Sequence, residues 1–108
     1  MLILFDQATP VPIHSYLEGH TVRTAFQQGW DKLKNGELLV AAEEAGFELF
    51  LTTDKNIRYQ QNLARRKIAI LVLGQQQWPL LRLHIQLVVD AVNAASPGSF
   101  AELEIPPE

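Results

Sequence analysis

Short apolar runs recur along the chain, each ending in a polar or turn residue, with stretches of helical spacing between them. Leu2-Ile3-Leu4-Phe5 runs into Asp6. The segment Phe47–Asp54 is apolar through Leu49, Phe50 and Leu51 and turns polar at Thr52, Thr53 and Asp54. Ile68–Leu73 is the most hydrophobic run, rich in β-branched residues and followed by Gly74. Runs of this kind suit strands buried on both faces, as in a parallel sheet, and Ile68–Leu73 is expected at its centre. His20–Thr24 is shorter and half polar, which predicts a strand nearer an edge. Phe100–Ile105 alternates, with Ala101, Leu103 and Ile105 on one side and Glu102 and Glu104 on the other. That is the pattern of a half-exposed edge strand.

The intervening segments read as helices. Thr9-Pro10 is a helix start signal, with the helix expected to run to about Glu18 and to stop at Gly19. Ala25–Lys34 is ambiguous: Phe26 and Trp30 could share a helical face, while Gly29 and the charges suggest a loop. Asn35-Gly36-Glu37 opens a helix that Gly46 ends, and Asn35 is a good N-cap. Asn56–Lys67 is a polar helix or turn, anchored by Ile57 and Leu63. Trp78-Pro79 starts the longest predicted helix, to about Ala95, with Leu81, Ile85, Val88 and Val92 at helical spacing. The alternation of strand and helix predicts an α/β fold, a three-layer α/β/α sandwich with a mainly parallel sheet of four or five strands and right-handed crossovers. If the strands ending in Asp6 and Asp54 are neighbours, the order begins 2-1-3-4 and the last strand extends one edge.

With 108 residues and 47% hydrophobic content, the chain is expected to form a single domain over residues 1–108. No apolar run approaches the roughly 20 residues of a membrane-spanning helix, and no secretion signal is legible. Cysteine is absent, which removes disulfides, thiolate metal sites and cysteine nucleophiles and fits a reducing cytoplasm. A formal charge of −3 gives no overall attraction to nucleic acid, although a local basic face would.

Candidate chemistry gathers at the strand ends. In open α/β sheets ligands collect beyond the carboxyl ends of the strands, where Asp6 and Asp54 are expected. Functionally they are a pair of oxygen ligands for Mg²⁺ or Mn²⁺; structurally each could be a cap. Glu37, in the first turn of its helix, is either a third ligand or a partner of the helix dipole. Gln7, Asn35 and Asn56 sit beside these acids as neutral amides, so one loosely held ion fits better than two. Lys55 and Arg58, with Tyr59 and Arg65–Lys67, form a basic stretch that could lie along phosphates or face solvent. His14, His20 and His84 lack metal-ligand spacing, and Trp30 and Trp78 suit packing. No P-loop, dinucleotide fingerprint or serine-hydrolase elbow occurs.

Across Leu2–Ile105 these residues resemble the small PIN-like domains related to the toxin ribonucleases of bacterial toxin–antitoxin pairs. The resemblance rests on Leu-Phe-Asp closing strand one, Gly-Glu-Leu-Leu opening a middle helix and Leu-Thr-Thr-Asp-Lys closing strand three. It implies a PIN-like fold and metal-dependent RNA cleavage. Asp6 and Asp54 match the family's acids and Glu37 aligns with an acidic position. Gln7, Asn35 and Asn56 stand where the family carries acids. The expected function is therefore a ribonuclease with Asp6, Glu37 and Asp54 as catalytic and metal-binding residues and Lys55 and Arg58 on the RNA backbone. A small antitoxin protein and RNA are the expected partners, and a homodimer is open. The alternative is an inactive PIN-like scaffold that binds a protein or RNA. A receiver-like phosphoacceptor fits less well, because it would need paired acids after strand one and a lysine after strand five.

Overall fold

The structure, a computed structural model, describes residues 1–57 and 66–106. Five strands, β1 (Leu2–Phe5), β2 (Thr21–Thr24), β3 (Leu49–Thr52), β4 (Ala69–Leu73) and β5 (Phe100–Leu103), form one sheet in the order β2-β1-β3-β4-β5. Every pairing is parallel. The α/β class, the 2-1-3-4 order and the edge position of the last strand are therefore as the sequence predicts. β4 lies inside the sheet with five consecutive buried residues.

Alternation along the strands explains why their apolar runs are continuous. Successive side chains point to opposite faces, and both faces are covered. Ile3, Phe5, Leu49, Leu51, Ala69, Leu71 and Leu73 enter one core; Leu4, Phe50, Ile70 and Val72 enter the other. The first core is closed by a 3-10 helix (Val11–Tyr16), α2 (Trp78–Arg82) and α3 (Ile85–Ala94), through Ile13, Leu81, Val88 and Val92. The second is closed by α1 (Asn35–Glu44), through Leu38, Leu39 and Ala42, with Phe47 and Ile57. The layering is consistent with a three-layer sandwich.

Three expectations need correction. The first helix is a six-residue 3-10 turn rather than an α-helix to Glu18. Three of its six residues are proline or β-branched, and Thr9 is drawn into a contact with Asp6 instead of capping. The long helix divides into α2 and α3 at Leu83 and His84; the His84 backbone (φ −125°, ψ 30°) leaves the helical region. Neither proline nor glycine marks that break, and Leu81, Val88 and Val92 still reach one core across it. Finally, the crossovers are not of one hand. The β2–β3 and β4–β5 connections step across the sheet in the same direction, yet α1 covers one face and α3 the opposite one. The β4–β5 crossover is thus opposite in hand to the β2–β3 one, so the two cannot both follow the usual right-handed preference. α3 packs beside the 3-10 helix, which alone is too short to cover that face.

Gly74 fixes where β5 leaves the sheet. Its N–H donates to the Leu103 carbonyl at 2.9 Å, and a Cβ there would also meet that oxygen at 2.9 Å. Gly74→Ala is expected to destabilise the fold by about 1–3 kcal/mol through overpacking, read as a lower urea midpoint with an unchanged denaturant slope.

Candidate functional site

Strand order creates the site. The chain moves from β1 to β2 on one side and returns to β3 on the other, so the β1/β3 boundary is a topological switch point, where open α/β sheets form a crevice. Phe5 pairs with Leu51, and the Asp6 N–H continues the ladder to the Leu51 carbonyl at 3.2 Å. Asp6 is thereby held as the first residue past β1, and Thr52 closes β3 beside it.

Asp6 is buried at 7% exposure, and its carboxylate is surrounded by donors. Oδ1 accepts the Thr9 N–H at 3.0 Å. The Thr9 hydroxyl lies 2.6 Å from Oδ1 and 3.0 Å from the Leu51 carbonyl, which share its single proton. Oδ2 accepts from the Thr52 hydroxyl. That hydroxyl in turn accepts the Asp54 N–H at 3.1 Å, and Asp54 Oδ1 accepts the Asn56 N–H at 2.9 Å in an Asx turn. One chain of hydrogen bonds therefore connects the two aspartates through Thr52.

Asp6 and Asp54 both line a cleft of about 260 Å³, with Gln7, Ala8, Ala25, Trp30, Leu33 and Leu38. The Gln7 amide donates to the Asp31 carbonyl, which fixes the loop joining β2 to α1 against this edge. Trp30 packs edge-on against Phe47, with centroids 5.9 Å apart at 67°, so its expected packing role is the one it fills.

The other candidates lie elsewhere. Glu37 is exposed and accepts the Lys34 N–H at 3.3 Å, so its carboxylate serves the start of α1; the cleft wall there is Leu38. Lys34, not Asn35, is the N-cap residue, and Asn35 is the first residue of the helix. Lys55 is exposed and lines a neighbouring depression with Thr53, Gly74, Gln75 and Gln76. Arg58 lies outside the described residues, as do Tyr59 and Arg65. At the opposite edge of the sheet a more apolar depression includes Glu43 and Glu48. These two acids are engaged by the Lys67 and Leu2 N–H groups.

Thr9 and Thr52 were legible only as a cap and as strand residues, yet they are what orients Asp6. The Thr52-x-Asp54 spacing is the available signal, since a threonine ending a strand can accept the N–H of the residue two on and still donate its own proton to a neighbouring strand end.

Among the described residues no three or more histidine, aspartate or glutamate side chains are grouped to hold a metal ion. No helix among them is long and apolar enough to cross a membrane. Comparison of the chain with protein-family models, curated proteins and solved structures gives no match.

Replacing Thr52 by valine keeps its shape and removes both the donor to Asp6 and the acceptor for the Asp54 N–H. Thr52→Val is expected to cost about 1–3 kcal/mol, and Thr52→Ser clearly less. Urea unfolding of the two variants checks this.

Proposed function

We propose that this chain is a PIN-like domain that binds one Mg²⁺ or Mn²⁺ ion between Asp6 and Asp54 and cleaves RNA, as the toxin-type member of a toxin–antitoxin pair in the cytoplasm. The observation that carries the reading is the shared cleft: the two strand-end acids face one crevice at the switch point of the sheet.

The donor set fits a single, largely hydrated ion. Asp6 Oδ2 accepts one hydrogen bond and retains a second acceptor site. Asp54 brings the second negative charge. Mg²⁺ is commonly held by one or two carboxylates and keeps several of its waters. Two ions would require more carboxylates than line this cleft, because their mutual repulsion has to be offset. When bound, such an ion polarises a phosphate oxygen and makes a coordinated water more acidic. Thr9 and Thr52 keep the Asp6 carboxylate in one orientation, and Gln7 offers an amide oxygen at the cleft wall. Glu37 would orient water only after releasing the Lys34 N–H. Lys55 is exposed beside Thr53 and suits an RNA phosphate.

A second reading, an inactive PIN-like scaffold that binds an antitoxin-like protein or RNA, is favoured by one specific observation. Asp6 already has donors on both carboxylate oxygens, so it has a structural role whether or not metal binds.

Asp54→Asn separates the readings, because an amide oxygen can still accept the Asn56 N–H while the charge is lost. Calorimetric Mn²⁺ titration and cleavage of a mixed RNA pool are expected to show saturable binding and cleavage by the wild type. The variant should bind Mn²⁺ at least about tenfold more weakly and should not cleave. A folded wild type that binds no Mn²⁺ at millimolar concentration would remove the nuclease reading in favour of the scaffold.

A further inference from the structure

Phe26 is 74% exposed, more than any other large hydrophobic side chain among the described residues. A floppy turn does not account for this. The Thr24 N–H donates to Gln27 Oε1 at 2.9 Å, and the Gln27 N–H returns to Thr24 Oγ1 at 3.1 Å. The Gly29 N–H closes on the Phe26 carbonyl at 3.0 Å, and the Trp30 N–H on the Ala25 carbonyl at 2.9 Å. The other aromatic of this segment, Trp30, packs inward on Phe47. The ring of Phe26 is thus displayed by a turn whose backbone is fixed.

Its position follows from the register. Thr24 pairs with Phe5, and the Ala25 N–H donates to the Phe5 carbonyl at 2.9 Å, so Phe26 emerges at the edge where Asp6 emerges from β1. Phe26 lines a depression of about 240 Å³ with Asp6, Gln7, Thr9, Val11 and Thr24. Asp6 and Gln7 also line the Asp6–Asp54 cleft, so the two hollows meet at these residues. A ligand spanning them would set one part against the acids and a flat, partly apolar part against the ring.

We infer that Phe26 is a stacking platform for one nucleobase of single-stranded RNA whose backbone crosses the Asp6–Asp54 cleft. The inference rests on the nuclease reading and adds a substrate-binding residue to it. A nucleobase suits the hollow because it has an apolar face for the ring and polar edges for Gln7 and Thr24. Stacking on an aromatic ring is tolerant of base identity, so the site selects single strands over duplexes rather than one sequence.

The test is fluorescence anisotropy with a labelled single-stranded adenylate dodecamer, in chelator so that no cleavage occurs. Its comparison probe is an abasic ribose-phosphate oligomer of equal length. Phe26→Ala is expected to weaken adenylate binding about tenfold, while Phe26→Trp holds or tightens it. The abasic oligomer should bind wild type and both variants alike. Phe26 is exposed, so both variants should melt as the wild type does, and this is checked first. Equal adenylate binding by all three proteins would overturn the inference and leave Phe26 to a protein contact. An equal loss on the abasic oligomer would overturn it as well. Metal-dependent cleavage by wild type and Asp54→Asn is scored separately. Cleavage that depends on Asp54, with adenylate binding indifferent to Phe26, removes the platform and keeps the nuclease. A wild type that neither binds nor cleaves RNA removes both.

Discussion

A carboxylate taken out of water is costly unless donors replace its hydration, and the carboxyl end of β1 is built to supply them. Asp6 receives the Thr9 N–H and hydroxyl from the chain entering the 3-10 helix and the Thr52 hydroxyl from the end of β3. The same contacts hold three things in place. They turn the chain out of β1, they bind the ends of β1 and β3 together, and through Thr52 they position the backbone of Asp54. The candidate site and the strand-end architecture are therefore one hydrogen-bonded object. Changing Asp6 itself would perturb fold and site at once, which is why Asp54 and Phe26 are the more informative positions.

The topology explains why this object lies where it does. With the order β2-β1-β3-β4-β5, the connections leaving β1 and entering β3 lie on opposite faces and a crevice opens between them. The β4–β5 crossover, opposite in hand to the β2–β3 one, serves the other requirement, complete burial of both faces. It brings α3 over the face that the 3-10 helix leaves partly bare, and β5 then runs parallel along the far edge with Leu103 and Ile105 against that core.

Much of this was legible in the sequence because it follows from local pattern. The runs ending at Phe5, Leu51 and Leu73 suit doubly buried strands, and the position of Gly46 marks the end of α1. Pairing strand ends that carry acids then gave the 2-1-3-4 order. What the sequence hid depended on contacts distant along the chain. Thr9 reads as a cap until Asp6 and Leu51 compete for its hydroxyl. Glu37 reads equally as ligand or helix-start partner, and the Lys34 N–H takes it. Phe26 and Trp30, four residues apart, suggest a shared helical face, whereas a hydrogen-bonded turn sends one inward and the other out. The break at Leu83 and His84 leaves the apolar spacing intact, so periodicity alone could not reveal it.

The proposed site puts one divalent ion between the ends of β1 and β3. Paramagnetic broadening of amide NMR signals by substoichiometric Mn²⁺ tests it most directly, since the effect maps proximity without relying on activity. Gln7, Ala8 and Lys55, which flank the two acids, are expected to lose intensity first. Broadening centred instead on Glu43, Glu44 and Glu48 at the opposite edge, or no localised broadening at all, would contradict the proposed site.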